Sequence, residues 1–206
     1  PQPLLIRSRL GIYALCFIGA INNADKLIEL CLNSGHEHFD AMTGGAVNTT
    51  ELLAALIHQK TDFVEGIRFA QESIEGSASI LMLCNDGSLI VARDILGRTP
   101  IHVGKSDYGY SVSFESFAFE KLGYVDEKEL GPGEIVRIRA NYMEQLRKPN
   151  EKMQICSFLW VYYGFPTSDY EGRNVEDVRN ECGRAMGAND DVEVDCVCGI
   201  PDSGIG

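Results

Sequence analysis

The chain has 206 residues, 45% hydrophobic and 23% charged, proportions ordinary for a globular protein with one large core or one and a half smaller ones. A formal net charge of −12 argues against nucleic acid or an anionic membrane as a partner, since either needs a basic face. No apolar run is long enough to span a bilayer, which takes about 18 residues. The seven cysteines, Cys16, Cys31, Cys84, Cys156, Cys182, Cys196 and Cys198, are odd in number, and several lie in apolar runs. They fit unpaired thiols in a reducing, cytoplasmic setting.

Pro1 to Ile6 leads into a strand without a starting Met. Gly11 to Ala20 is almost continuously apolar and predicts a strand buried on both faces. Asn22-Asn23 caps a helix carrying Leu27, Ile28, Leu30, Cys31 and Leu32, which Asn33-Ser34-Gly35 stops. His36 to Val47, with Gly44-Gly45, reads as a flexible stretch. Asn48-Thr49-Thr50-Glu51 opens a second helix through His58, and Asp62 caps a third through Phe69.

From Ala78 the period becomes that of strands. Ser79 to Cys84 and Leu89 to Ala92 flank Asn85-Asp86-Gly87-Ser88, a hairpin signal. Ile101 to Gly104 and Gly109 to Phe114 form the next pair, and Glu134 to Arg139 alternates as a half-buried strand should. A linker, Lys148 to Lys152, precedes an aromatic segment from Phe158 to Phe165 and a helix from Val175 to Met186. Trp160, Tyr162, Tyr163 and Phe165 form a strip expected to find too little partner surface within this chain. Last, Val194 to Ile200 predicts a short strand running into Pro201-Asp202-Ser203-Gly204, as α/β domains begin a ligand site. Both ends are abrupt, so the chain is expected to be the middle of a longer protein.

Isolated metal signals are weak. Cys196-x-Cys198 has no second pair to complete a zinc site, and His36-x-His38 has no third ligand at useful spacing. His58 and His102 carry no assigned chemistry.

Five blocks, in order, resemble the amidophosphoribosyltransferase branch of the class II glutamine amidotransferases. Arg93-Asp94-Ile95-Leu96-Gly97-Arg98-Thr99-Pro100 is similar to that family's Arg-Asp-Pro-Leu-Gly-x-Arg-Pro turn, with Gly104-Lys105 following. Phe114-Glu115-Ser116-Phe117-Ala118 resembles Ser-Glu-Ser-x-Ala, and Gly131-Pro132-Gly133-Glu134-Ile135 resembles its Pro-Gly-Glu block. Cys156 to Pro166 is similar to Cys-x-Phe-Glu-Tyr-Val-Tyr-Phe-Ala-Arg-Pro, followed by Gly172, Val175, Arg179 and Gly183. Val197 to Gly204 resembles the start of a phosphoribosyltransferase domain.

The resemblance implies an α+β fold, the four-layer αββα sandwich of the N-terminal-nucleophile hydrolases, over residues 1–146. Residues 147–206 would then be a linker and the truncated beginning of an α/β phosphoribosyltransferase domain. The implied reaction places ammonia from glutamine on phosphoribosyl pyrophosphate in purine nucleotide synthesis, by a homo-oligomer acting on small molecules. Such acyl transfer needs an activated thiolate, an oxyanion hole and charges that grip glutamine. The family's nucleophile is an N-terminal Cys; here the chain starts at Pro1, so no catalytic residue is assigned.

The family's oxyanion segment His-Asn-Gly-Asn is matched by Phe17-Ile18-Gly19-Ala20, which keeps Gly19 but puts Ile18 in place of the Asn. Thr49 stands where the family has the Asp that pairs with the substrate ammonium. Leu159, Phe165 and Thr99 replace a Glu and two Arg, with Arg98 a neighbouring substitute for the last. These departures imply a divergent branch whose glutaminase half is inactive, supplied with free ammonia or a partner's. The alternatives are an active glutamine-dependent enzyme whose Cys lies outside this chain, and a non-catalytic scaffold or ligand sensor. Cys156 matches a position that ligates an iron–sulfur cluster in one branch, although cluster-free members share it; Mg²⁺ is expected with the phosphoribosyltransferase part.

Overall fold

The computed structural model describes residues 2–36, 38–40 and 42–200. Its larger sheet is antiparallel and grows from the long strand β2 (Gly11–Ile21), which pairs on one side with β1 (Leu4–Ser8) and on the other with β5 (Gly76–Cys84). Then come β6 (Leu89–Ala92), β10 (Ile135–Ile138) and β11 (Met143–Arg147), in the order β1-β2-β5-β6-β10-β11. A smaller sheet has the order β8-β7-β9, with β7 (His102–Ser106), β8 (Gly109–Ser113) and β9 (Val125–Glu129). A hairpin of β3 (Met42–Thr43) and β4 (Ala46–Val47) lies within the stretch expected to be flexible.

Three helices cover one face of the larger sheet: α1 (Ala24–Asn33), α2 (Thr49–Ile57) and α3 (Phe63–Ser73). Two of the expected caps act as such. Asn48 accepts from the Thr50 N–H and Asp62 from the Glu65 N–H, each satisfying a donor that the helix start leaves free. Asn23 does not cap α1 with its side chain. It donates to Ser73 O and accepts from Glu75 N instead, tying α1 to the α3–β5 connection.

β2 is not buried on both faces as its composition predicts. Tyr13, Leu15 and Phe17 are buried against the helices with Leu52, Leu53, Ile67 and Ile80, while Ala14, Cys16 and Ile18 on the other face are only half-buried. The smaller sheet is narrower than the larger. It covers Val91, Val136 and Ile138 with Ile101 and Val103, and leaves Leu5 76% and Leu83 53% exposed at the β1–β2–β5 end. The Gly11 strand is nonetheless interior to its sheet, paired along both edges.

The outer face of the smaller sheet carries α4 (Phe117–Leu122), whose Phe119 ring lies where a Cβ on Gly104 would stand, 2.8 Å away. Helices, sheet, sheet and helix therefore stack as an α+β four-layer sandwich of antiparallel sheets. Beyond β11 a π-helical turn (Leu159–Tyr163) and a hairpin of β12 (Asp169–Tyr170) and β13 (Arg173–Asn174) lead into α5 (Val175–Ala188). Leu159, Tyr170 and Val175 form a small core of their own.

Trp160 is better anchored than its aromatic strip predicts: its indole N–H donates to Arg173 O, and the ring packs edge-on against Tyr170. Tyr162 and Tyr163 remain 70% and 62% exposed. Val194 to Ile200 is not a strand but an exposed irregular segment, since no neighbouring strand among the described residues supplies its hydrogen bonds. Pro201-Asp202-Ser203-Gly204 lies outside the described residues.

Candidate functional site

The end of β2 and the turn after β6 meet beside Ser79 of β5. Ile18 is directly opposite Ser79 in the ladder, so the two side chains share the sheet face turned away from α1, α2 and α3. The Ser79 hydroxyl donates to Thr99 O (3.1 Å) and accepts from Asp94 N (3.0 Å). An isoleucine here offers no hydrogen bond to a developing oxyanion.

Gly19 is next, exposed and at φ +153°; a Cβ there would stand 2.0 Å from Ser77 O. Gly76 mirrors it across the ladder, at φ +151° with Ala20 O 1.9 Å from its Cβ position. The glycine kept at position 19 thus has a structural cause, close approach of two strands. Thr49 opens α2 and is exposed, without a charge. Ile18 and Gly19 lie on the strand and Thr49 on the helix, and none of the three lines the groove between β1 and α2.

The buried family-motif residues turn out to hold corners of the sandwich. Asp94 is 1% exposed and accepts from the N–H groups of Ala78, Leu96 and Arg98, clamping the turn to β5. Arg98 bonds Gly76 O and lies 3.8 Å from Asp94, while Thr99 contributes its backbone carbonyl to Ser79. Glu134 is buried and receives Lys128, Gln145 and Gly131 N, joining β9, β10 and β11.

Glu115 accepts from Ser168 Oγ (2.6 Å) and Tyr170 Oη (2.7 Å), and Ser116 Oγ accepts from Asp169 N. That block is the dock for the β12–β13 hairpin. Leu159 fills the small C-terminal core, and Phe165 stacks on Phe117 at 4.4 Å with Lys121 over both rings. Leu159 is buried there, whereas Phe165 stays partly exposed. Arg179 of α5 donates to the carbonyls of Trp160, Tyr162 and Gly164, capping the π-helical turn.

No thiol among the buried strands and helices is prepared for nucleophilic attack: burial pushes those of Cys16, Cys31 and Cys84 up. Cys156 is exposed and unpaired. Among the described residues no three His, Cys, Asp or Glu side chains converge on a metal position. His38 pairs with Asp40 at 3.2 Å, and His36 packs on Phe39.

A groove of about 600 Å³ runs between β1 and α2 past Leu5, Arg7, Arg9, His36, Glu51 and His58. His58 accepts or donates to Tyr13 Oη at 2.7 Å and is held below the usual histidine range, mainly by burial and then by Arg9 and His36. Arg9 spends its guanidinium on the carbonyls of His58 and Lys60, closing the end of α2. Tyr13 and His58 therefore read as a satisfied core pair.

The family model of the glutamine amidotransferase domain matches residues 1–119. The chain belongs to that family. Along 99% of its length it is similar to amidophosphoribosyltransferases. It is 29% identical over 205 residues to the one from Archaeoglobus fulgidus, of which it covers 44%. To the Bacillus subtilis protein it is 32% identical over 208 residues, covering 42% of it. It superposes on the solved glutamine phosphoribosylpyrophosphate amidotransferase of B. subtilis, in complex with ADP and GMP, with a TM-score of 0.86 at 31% identity, over 99% of this chain and 44% of that one. The chain spans less than half the length of these relatives. Among the described residues no helix is long and apolar enough to cross a membrane.

The sequence did not disclose Glu129 and Glu171, two carboxylates gathered with Arg93 and His102 at the tip of the C-terminal hairpin. In the structure Glu171 and Gly172 both take positive φ (50° and 69°), a two-residue type I′ turn with an unusual first residue that no local sequence signal marks.

Proposed function

We propose that this chain is the amidotransferase-like part of an amidophosphoribosyltransferase-like enzyme of purine nucleotide synthesis, whose glutaminase half no longer works. It would form phosphoribosylamine from phosphoribosyl pyrophosphate with free ammonia or ammonia from a partner. The carrying observation is Ile18, an apolar side chain opposite Ser79 at the end of β2, where the family resemblance calls for an amide donor. Loss of one oxyanion donor costs about 10²–10³ in rate. Thr49, exposed and uncharged at the start of α2, removes the partner expected for the substrate ammonium.

In this proposal residues 1–146 form the amidotransferase-like domain and residues 147–206 begin the phosphoribosyltransferase domain. Mg²⁺ would serve that second domain by neutralising pyrophosphate charge. The seven unpaired cysteines suit a reducing cytoplasm, and assembly as a homo-oligomer would cover the exposed Tyr162 and Tyr163. Ammonia release from glutamine tests the proposal. The complete gene product is expected at background even when a Cys opens its mature chain. Turnover above background in that protein would show that Ile18 and Thr49 are compatible with glutamine hydrolysis.

A further inference from the structure

Arg93 lies at the end of β6 with its side chain fully buried, and four acceptors surround it. It donates to Leu130 O and to Gly97 O (2.8 Å), and lies 3.4 Å from Glu129 Oε1 and 2.7 Å from Glu171 Oε1. Glu129 belongs to the core, at the end of β9. Glu171 belongs to the C-terminal segment, at the tip of the β12–β13 hairpin, and its own N–H donates to Glu129 Oε2 at 2.8 Å. Two carboxylates from two parts of the chain therefore share one guanidinium.

Glu171 holds its left-handed backbone at φ 50°, which disfavours a side chain with a Cβ. Glycine or asparagine would suit that position better, so the turn is held by the contacts of Glu171 with Glu129 and Arg93. We propose that residues 155–188 are fastened to the amidotransferase core by a proton-controlled latch, in which Glu171 and Glu129 share the buried Arg93.

The charged and titratable groups facing Glu129 come from every element around it. They are Arg93 after β6, His102 of β7 at 4.0 Å, which is itself bonded to Asp126 of β9 at 2.9 Å, and Glu171 of the hairpin. Tyr170 beside them is committed to Glu115. Burial and then the Glu171 charge push Glu129 up to about 7, against the pull of His102 and Arg93. Its ordinary value, regained when the hairpin leaves and water enters, is about 4.3.

The sign follows from linkage. The docked carboxylate binds its proton more tightly than the undocked one, so docking is strongest at low pH and weakens as pH rises through about 7. Between pH 6 and pH 8 those two values translate into about a tenfold loss in the docking equilibrium.

Hydrogen exchange of the full chain, read by mass spectrometry and corrected for the intrinsic effect of pH, measures that equilibrium. Peptides covering residues 165–176 are expected to lose about tenfold in protection between pH 6 and pH 8, with β2 and β5 unchanged. Glu129→Gln removes the titrating group and should give equal protection at both values. Glu171→Gln removes the neighbouring charge and should move the midpoint to lower pH, an independent readout if the first variant folds poorly. Equal protection in the unaltered chain, a loss that persists in Glu129→Gln, or an unmoved midpoint in Glu171→Gln would each overturn the latch.

Discussion

Replacing Arg93 by Met is expected to destabilise the protein by about 3–5 kcal/mol, the cost of breaking a buried ion pair from one side. The methionine fills much of the volume but leaves Leu130 O and Gly97 O without the guanidinium and Glu129 facing Glu171 without a counter-charge. Lysine at the same place keeps the charge but has no planar fork to reach two carbonyls and two carboxylates together, so it should recover only part of the loss. Urea unfolding followed by circular dichroism reads the difference as a shift of the midpoint. Unfolding free energies within about 0.5 kcal/mol of the unaltered protein would mean that Arg93 is not the keystone of the junction.

Gly19→Ala should be comparably damaging for a different reason. Its Cβ would meet Ser77 O at 2.0 Å, in backbone rather than a movable side chain, at a φ of +153° that L residues rarely adopt. Backbone strain and overpacking each cost about 1–3 kcal/mol, together about 2–6 kcal/mol. Gly183→Ala in the exposed part of α5 meets nothing within 4 Å and serves as the control. That helix should gain about 0.5–1 kcal/mol. If Gly19→Ala unfolds at the same urea concentration as the unaltered protein, β2 and β5 are not as close there as described.

The contrast between these two positions explains what could be read from sequence. Asn48 and Asp62 announce α2 and α3 because a cap acts within three residues of itself. The hairpin between β5 and β6 announces itself through Asp86-Gly87, where glycine takes φ +78°. β9 does not, because Val-Asp-Glu-Lys-Glu has one apolar residue and becomes a strand only through pairing with β7. β11 hides for the same reason, needing β10.

The four-layer architecture was legible through motif resemblance rather than periodicity. Those motifs carried structure more than chemistry: Asp94, Glu134 and Glu115 hold a turn, three strands and a hairpin. The two-sided burial expected of β2 failed because composition cannot reveal how wide the covering sheet is. Glu171 stayed hidden because its partners, Glu129 and Arg93, are distant in sequence, and nothing local marks a glutamate at a turn as an anchor.

Amino transfer without glutamine hydrolysis can be followed as pyrophosphate release from phosphoribosyl pyrophosphate by the complete gene product. Ammonium and glutamine are supplied in parallel, at a pH where some free ammonia is present. The chemistry at Ile18 and Thr49 predicts release with ammonium and only background with glutamine. A glutamine-supported rate equal to or above the ammonium rate would contradict it.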